Sequence, residues 1–208
     1  MHHPIISIII PVYNRENTLA RALDSLLSQT YPHWEAIIVD DGSNDKSLSI
    51  AHKYSKIDER IYPFSFANKG VALARNEGLI FARGKWITFL DSDDEYLPEH
   101  LAIRIHTAQH LKDETVLYGG INVRGDHMVA HEHDHSLLIP VDDLIITGIL
   151  FMPRSSINLL DGFRNIPYAE DADLFERAKQ FYPIQKINSR TYIYHRELPD
   201  SITKNLNS

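Results

Sequence analysis

Four short apolar runs alternate with stretches of helical periodicity over about the first ninety residues, and that alternation leaves few folds open. Residues 5–10 are rich in isoleucine, as in a parallel strand buried on both faces. Pro11, Val12, Tyr13 and Asn14 break the run, and Leu19, Ala22, Leu23, Leu26 and Leu27 then recur at helical spacing. A second strand is predicted over 36–39, followed by a helix with Leu48, Ala51 and Tyr54 on one side and Ser43 or Asn44 as its cap. A third strand is expected over 61–66, and then a helix over 71–81 with Ala72, Leu73, Leu79 and Ile80 inward. Gly84 ends that helix, and residues 85–90 form the fourth strand. Three such strand–helix units imply right-handed crossovers and a mostly parallel sheet.

Ligands of such sheets bind outside the carboxyl ends of the strands. That rule places residues 11–15, 40–43, 67–70 and 91–94 along one rim, and these are the polar, turn-rich pieces of this half. The last of them is chemically unusual. An apolar strand ends in Asp91, Ser92, Asp93 and Asp94, three carboxylates within four residues. Carboxylates that close repel one another unless a positive charge lies among them. A divalent cation such as Mg²⁺ or Mn²⁺, which prefers oxygen ligands and often brings a phosphate, suits that position. A solvated turn ahead of a helix would also use aspartates, and only the shared rim raises the cluster above that reading.

The second half is less regular. A helix is expected over 98–111, a strand over 116–123, a loop or hairpin over 124–140, a strand over 149–152, a helix over 172–181 and a final extended segment over 184–195. No Gly/Ser-rich linker and no internal repeat appears. The 208 residues therefore read as one domain, with residues 1–97 and 98–208 as its two halves.

Composition removes several classes of function. A formal charge of −7 without a Lys/Arg run argues against a nucleic-acid surface. The absence of cysteine excludes disulfides and thiolate metal sites. Nothing approaches the roughly 18 apolar residues of a membrane span, and the start has no basic region of a signal peptide. These features predict a soluble, cytoplasmic protein, free or peripheral at the inner face of a membrane.

The motifs, taken together, resemble the family 2 inverting glycosyltransferases of GT-A fold. They run in the family's order and spacing: Ile9-Ile10-Pro11-Val12-Tyr13-Asn14; Val39-Asp40-Asp41-Gly42-Ser43 with Asp45; Asn68-Lys69-Gly70 with Ala74-Arg75-Asn76; Phe89-Leu90-Asp91-Ser92-Asp93-Asp94; and Glu170-Asp171-Ala172-Asp173-Leu174. The resemblance covers roughly residues 5–200. It implies an α/β fold with a Rossmann-like, mostly parallel central sheet flanked by helices and a smaller acceptor-side region. It implies a nucleotide-sugar donor, with UDP favoured, and a glycan, lipid-linked or other glycoconjugate acceptor.

Residue by residue, the resemblance makes Asp40 the acceptor of a hydrogen bond from the nucleotide base, with Pro11 and Tyr13 packed around base and ribose. A carboxylate, which only accepts, suits a uracil imide N–H. Arg15, Asn68 and Lys69 are candidates for base or phosphates, although a turn or surface role accounts for each nearly as well. Arg75, on a helix, reads as a structural salt-bridge partner. Asp93 would bind Mn²⁺ or Mg²⁺ directly, with Asp91 and Ser92 beside it and Asp91 facing the ribose or a metal-bound water. Asp171 would be the general base of a single in-line displacement, and Glu170 would hold the acceptor or donor sugar. His195 falls where relatives place a further metal ligand, a role equal in weight to that of a structural histidine. Arg196 with Ser201, Ile202 and Thr203 could form a closing flap.

His127, His131, His133 and His135 suggest zinc, but His-rich surface loops are common and the family has no zinc site there. The chain lacks the Gln-x-x-Arg-Trp motif of processive synthases, which favours one sugar per event, and it ends soon after the core. Acceptor recognition is thus expected from residues 115–170 or from a partner. Two other classes stay open. A sugar nucleotidyltransferase would want a Gly-rich, basic phosphate loop near the start, which residues 11–15 are not. A non-catalytic nucleotide-sugar-binding module would keep Asp40 and Asp93 but lose the base, and Asp171 is present.

Overall fold

The computed structural model of the chain describes residues 4–111, 114–130, 138–166 and 169–197. Strand β1 (Ile6–Val12) leads to α1 (Leu19–Leu27), β2 (Trp34–Asp40) to α2 (Ser47–Ile57), β3 (Ile61–Ser65) to α3 (Val71–Phe81), and β4 (Trp86–Phe89) closes the first half. The second half comprises β5 (Glu95–Tyr96), α4 (His100–His110), β6 (Val116–Tyr118), β7 (Ile121–Arg124), β8 (Met128–Ala130) and β9 (Leu138–Pro140). After two short 3₁₀ turns come β10 (Phe151–Pro153), α5 (Arg154–Leu160), α6 (Glu170–Ala178), β11 (Ile184–Lys186) and β12 (Tyr192–His195).

Seven strands form the central sheet in the order β11-β6-β10-β4-β1-β2-β3. Strands β4, β1, β2 and β3 are parallel, and β10 is antiparallel to both of its neighbours, β4 and β6. The fold expected from sequence, a mostly parallel α/β sheet with helical cover, is the fold observed. Every residue of β1 and β2 is buried. Ile8, Ile10 and Ile38 feed a core on one face, while Ile9, Ile37 and Val39 feed the core on the other. Two covered faces explain why these strands read as continuous apolar runs and not as alternating ones.

Helix α3 departs from the expected packing. Its inward residues are Ala72, Ala74, Arg75 and Gly78, whereas Leu73 and Leu79 are half-buried and Ile80 is 73% exposed. The reason is close approach. A Cβ on Gly78 would come within 2.7 Å of Ile9 Cγ2 and 2.9 Å of Val39 Cγ2, so only small residues let the helix lie that near the sheet. The α2 cap differs too. Asp45, not Ser43 or Asn44, accepts from the Ser47 backbone N–H at 2.9 Å.

The extended segment expected over 116–123 is two strands in different sheets. Gly119 and Gly120, at φ of 96° and 88°, turn the chain between β6 and β7. A side chain on Gly120 would run into the Ser189 carbonyl, so the turn demands glycine twice over. The segment 184–195 divides in the same way into β11 and β12. Each pair stays parallel, β11 with β6 in the large sheet and β12 with β7 in a small sheet β5-β12-β7. Buried Arg104 holds this double crossover, donating to the Gly119 carbonyl at 2.9 Å and to Thr191 Oγ1 at 3.3 Å. No helix among the described residues is long and apolar enough to cross a membrane.

Candidate active site

The sheet order 3-2-1-4 reverses direction between β1 and β4, the switch point at which open α/β sheets bind ligands. A cleft of about 420 Å³ opens there. Its near wall is the loop after β1, locked to the loop after β2 by side chains. Asn14 takes a left-handed φ of 52°, donates its N–H to Ser43 Oγ at 3.0 Å, and accepts from the Asn44 N–H at 2.9 Å. Arg15 N donates to Ser47 Oγ at 2.7 Å, and Glu16 N to Asp45 Oδ2 at 2.9 Å. The polar residues that follow β2 thus hold two loops together.

Of the two adjacent aspartates, the structure turns Asp41 and not Asp40 toward the cleft. Asp40, the sheet partner of cleft-lining Val12, is 2% exposed; its Oδ2 accepts from Ser65 Oγ at 3.0 Å and its Oδ1 is buried without a hydrogen-bond partner among the described residues. Asp41 lines the cleft, accepting from the Lys69 and Gly70 N–H groups at 2.8 and 2.9 Å, and its carbonyl accepts from Asn68 Nδ2 at 2.9 Å. Consecutive residues at a strand end point oppositely, so a one-residue choice decides which carboxylate is available. Lys69 also lies outside the cleft, its ammonium 3.1 Å from Glu77 Oε1.

Beyond β4 the three carboxylates divide. Asp91 and Asp93 line the cleft together with Ser92, Pro11, Tyr13 and Arg15. Asp91 Oδ1 accepts from Arg75 Nη2 at 2.9 Å. Asp93 Oδ2 lies 3.7 Å from Arg15 Nε, and the Asp93 carbonyl accepts from Arg21 Nη2 at 2.5 Å. Burial and then the charge of Asp91 push the Asp93 carboxyl up, against the pull of Arg15. Asp94 points inward at 1% exposure, accepting from the Tyr192 hydroxyl at 2.6 Å and the His195 N–H at 2.8 Å. It ties the acidic loop to β12.

The far wall is the N-terminus of α6. Arg75, almost wholly buried, donates through Nη1 to Glu170 Oε1 at 2.6 Å while Nη2 holds Asp91. Sequence suggested a structural ion pair for Arg75, and the pair it makes spans the two halves of the chain at the centre of the cleft. Glu170 lines the cavity and Asp171 follows it on the helix. Burial, then the neighbouring Glu170 charge, raises the Asp171 carboxyl to about 7, while Arg75 and the Ala172 N–H, 2.8 Å from Oδ1, pull it down. Asp173, also in the first turn, is occupied by Arg177 and Arg164.

His195 lines the cleft with both ring nitrogens engaged: Nε2 lies 2.6 Å from Glu95 Oε1 and Nδ1 2.7 Å from Glu197 Oε1. In this arrangement it offers no nitrogen to a metal. Arg196 is not part of a free flap; it is 3% exposed and donates to the carbonyls of Met128 and Asp126 at 2.6 and 3.2 Å. His127 is exposed, while His131, His133, His135, Ser201, Ile202 and Thr203 lie outside the described residues. No group of three or more acidic or histidine side chains among the described residues is arranged to hold a metal. Asp93 alone, a hard oxygen donor in an under-compensated acidic loop, still fits a cation whose other ligands are phosphates and waters.

Asp41, Arg75 and Asp94 were not singled out as site residues from sequence. Asp41 shares a motif with Asp40, but its orientation is a property of the fold. The Arg75–Glu170 contact joins positions 95 apart, which no local pattern reports.

Comparison with known proteins agrees with this architecture. Among solved structures, Staphylococcus aureus TarS 1-349 in complex with UDP-GlcNAc superposes with a TM-score of 0.75, at 22% identity over 94% of this chain and 59% of that one. A Pyrobaculum calidifontis mannosyltransferase in complex with GDP-Man and Mn²⁺ gives a TM-score of 0.75 at 16% identity, covering 98% of this chain and 59% of the other. These likenesses establish the fold, which is GT-A. A Haemophilus influenzae protein described as an uncharacterized glycosyltransferase is 35% identical over 187 residues, 86% of this chain and 74% of that protein. A Bacillus subtilis relative named for teichuronic acid biosynthesis is 44% identical over 99 residues, 47% of this chain and 39% of its own length. The chain therefore spans about two fifths of that relative. Residues 7–168 match the profile of Glycosyl transferase family 2, a span from β1 to the threshold of α6 that takes in the loops after β1, β2, β3 and β4. By that match and the Haemophilus relative, the chain belongs to glycosyl transferase family 2.

Proposed function

We propose that the protein transfers one sugar from a UDP-sugar to a hydroxyl group of a glycan or glycoconjugate, with inversion, and that Asp171 is the general base. The observation that carries this reading is the placement of Asp171. Its carboxyl is raised to about 7, next in the chain to cleft-lining Glu170, and the cleft's lining residues suit a nucleotide diphosphate. A base is most effective when its pKa lies near the working pH. Inversion needs only one displacement, with the acceptor deprotonated on the side opposite the leaving diphosphate. Arg75 pairs with Glu170 and Asp91 and pulls the carboxyl of Asp171 down.

Tyr13 and Pro11 would flank the base and ribose. Asp41, rather than Asp40, would accept from the uracil imide once the donor displaces its present backbone partners. Arg15 would meet the diphosphate, and Asp93 would hold a Mn²⁺ or Mg²⁺ ion. When bound, that ion offsets the charge that develops on the leaving diphosphate. His195 would act through its backbone tie to Asp94, and as a ligand only after releasing Glu95 or Glu197.

Calorimetric titration of UDP, with GDP and dTDP alongside, each with and without Mn²⁺, tests the donor side on wild type and Asp93→Ala. The expected result is metal-dependent binding of UDP that Asp93→Ala removes. Failure of every nucleotide to bind folded protein in the presence of metal would sink the proposal.

A further inference from the structure

A second cavity, of about 610 Å³, lies on the same rim of the sheet and is not explained by donor binding. Strand β10 is antiparallel to both β4 and β6, so β6 runs in the direction of β4, and β11 is parallel to β6. The carboxyl ends of all three therefore share one edge. Where β6 and β11 leave the large sheet, at Gly119–Gly120 and at residues 187–190, the chain opens a hollow.

Helix α6 separates the two cavities. Glu170 lines the cleft, and Phe175 and Glu176 line the hollow. Asp171 and Phe175 are four residues apart, on one helical face and about 6 Å along the axis. The hollow thus begins one helical turn from the proposed base, which itself lines neither cavity.

Its lining has a definite chemistry. Tyr118 and Phe175 set two rings against each other at 4.9 Å, an apolar surface on one wall. Arg190 and Asp142 face each other at 2.8 Å, Lys186 adds a cation, and Glu176 adds a carboxylate whose two oxygens accept from Lys179 Nζ at 2.9 Å. Two carboxylates and two cations balance, which disfavours a phosphate or other anionic ligand. Rings beside evenly balanced hydrogen-bonding groups suit a molecule with apolar C–H faces and many hydroxyls. The volume is within the usual range for a small-molecule site.

We infer that this hollow is the acceptor subsite and that it binds a neutral pyranose unit of the acceptor glycan. The inference rests on the transferase reading and adds to it a location and a ligand class. The acceptor hydroxyl would reach Asp171 from the hollow while the donor lies in the cleft, so the two substrates approach from opposite sides of the base.

Amide chemical shifts of ¹⁵N-labelled protein test it. The probes are the methyl glycosides of glucose, galactose and N-acetylglucosamine at high millimolar concentration, with UDP and Mn²⁺ titrated separately. The expected result is that at least one glycoside shifts the amides of Gly119, Gly120 and Asn188. The double variant Glu176→Gln/Arg190→Ala, whose two side chains are exposed, weakens that response at least tenfold with the remaining spectrum unchanged. Glycosides that shift no amide in the hollow, or that respond equally in the double variant, overturn the inference, and a UDP response at Gly70 and Ser92 then leaves the donor reading standing. Absence of any response to UDP in the presence of Mn²⁺ overturns the UDP-sugar reading and the inference with it.

Discussion

The rim beyond β1 and β2 and the rim beyond β4, where α6 and β12 close on the acidic loop, belong to one sheet edge but are held in different ways. On the first, the loops after β1 and β2 are joined by short side chains onto backbone groups: Asn14 with Ser43 and Asn44, Arg15 with Ser47, Glu16 with Asp45. These contacts are short, neutral or singly charged, and near the surface. On the second, helix α6, which carries the proposed base Asp171, is held to the cleft by buried Arg75, which joins Glu170 to Asp91. Strand β12 is held by Asp94, which accepts from Tyr192 and His195. Losing one loop contact costs about one hydrogen bond, whereas losing Arg75 strands two half-buried carboxylates. The side proposed for the donor is built by redundancy, and the side of the proposed base by a few buried charges.

The largest effect falls on the base. Asp171→Asn is expected to lower kcat by about 10²–10⁴-fold, measured with a UDP-sugar and a glycan acceptor. In wild type, kcat/KM should rise with pH through about 7, where the native carboxyl ionises. The same substitution is expected to stabilise the fold. A carboxyl at 3.8 when unfolded and about 7 when folded is a burden only once it would otherwise be ionised, so stability is lost as pH rises from about 4 to 7. The asparagine variant should therefore melt higher than wild type at pH 8 and no higher at pH 4. A lower melting point at pH 8 would contradict a base set in place at the expense of stability.

Arg75→Met sharpens the contrast between the rims. It leaves Asp91 and Glu170 without their cation and is expected to cost about 3–5 kcal/mol in urea denaturation. Because Arg75 lowers the Asp171 carboxyl, the pH–rate profile should also move to higher pH. A loss under 1 kcal/mol would mean that the base side is held by something other than this arginine. Tyr192→Phe removes one of the two donors to buried Asp94 and should cost about 1–3 kcal/mol. Metal-dependent UDP affinity should fall with it, since Asp94 positions the loop of Asp91 and Asp93; unchanged affinity would uncouple β12 from that loop. The smallest effect is at Ile80, where the exposed side chain makes Ile80→Ser neutral to within about 0.5 kcal/mol by thermal melting.

The comparison also marks how far the sequence was legible. In the first half each strand and helix was apparent from its own periodicity, and strand ends were apparent to within two residues from Pro11, Gly42 and Asp91, β1 running through Pro11 to Val12. Errors there were local: the inward face of α3, where small residues replaced the expected leucine and isoleucine, and the cap of α2, where Asp45 acts. In the second half the segments 116–123 and 184–195 each read as one strand, because a glycine pair or a short polar stretch does not reveal a change of sheet. Nothing near Arg75 or Glu170 announces that they meet.

Alone, the sequence determined the parallel α/β half, the loops that share its rim, and the oxygen-rich chemistry after β4, because these follow from side-chain period and residue type within a few positions. Tertiary structure decided which of Asp40 and Asp41 faces the cleft, where the third carboxylate of the acidic loop goes, and how high the Asp171 carboxyl stands. Each depends on groups brought together from distant positions by sheet order: Arg75 with Glu170, Asp94 with Tyr192, and a buried helix end beside a carboxylate neighbour. A local pattern carries no record of such contacts, because desolvation and charge pairing are properties of what surrounds a residue in space.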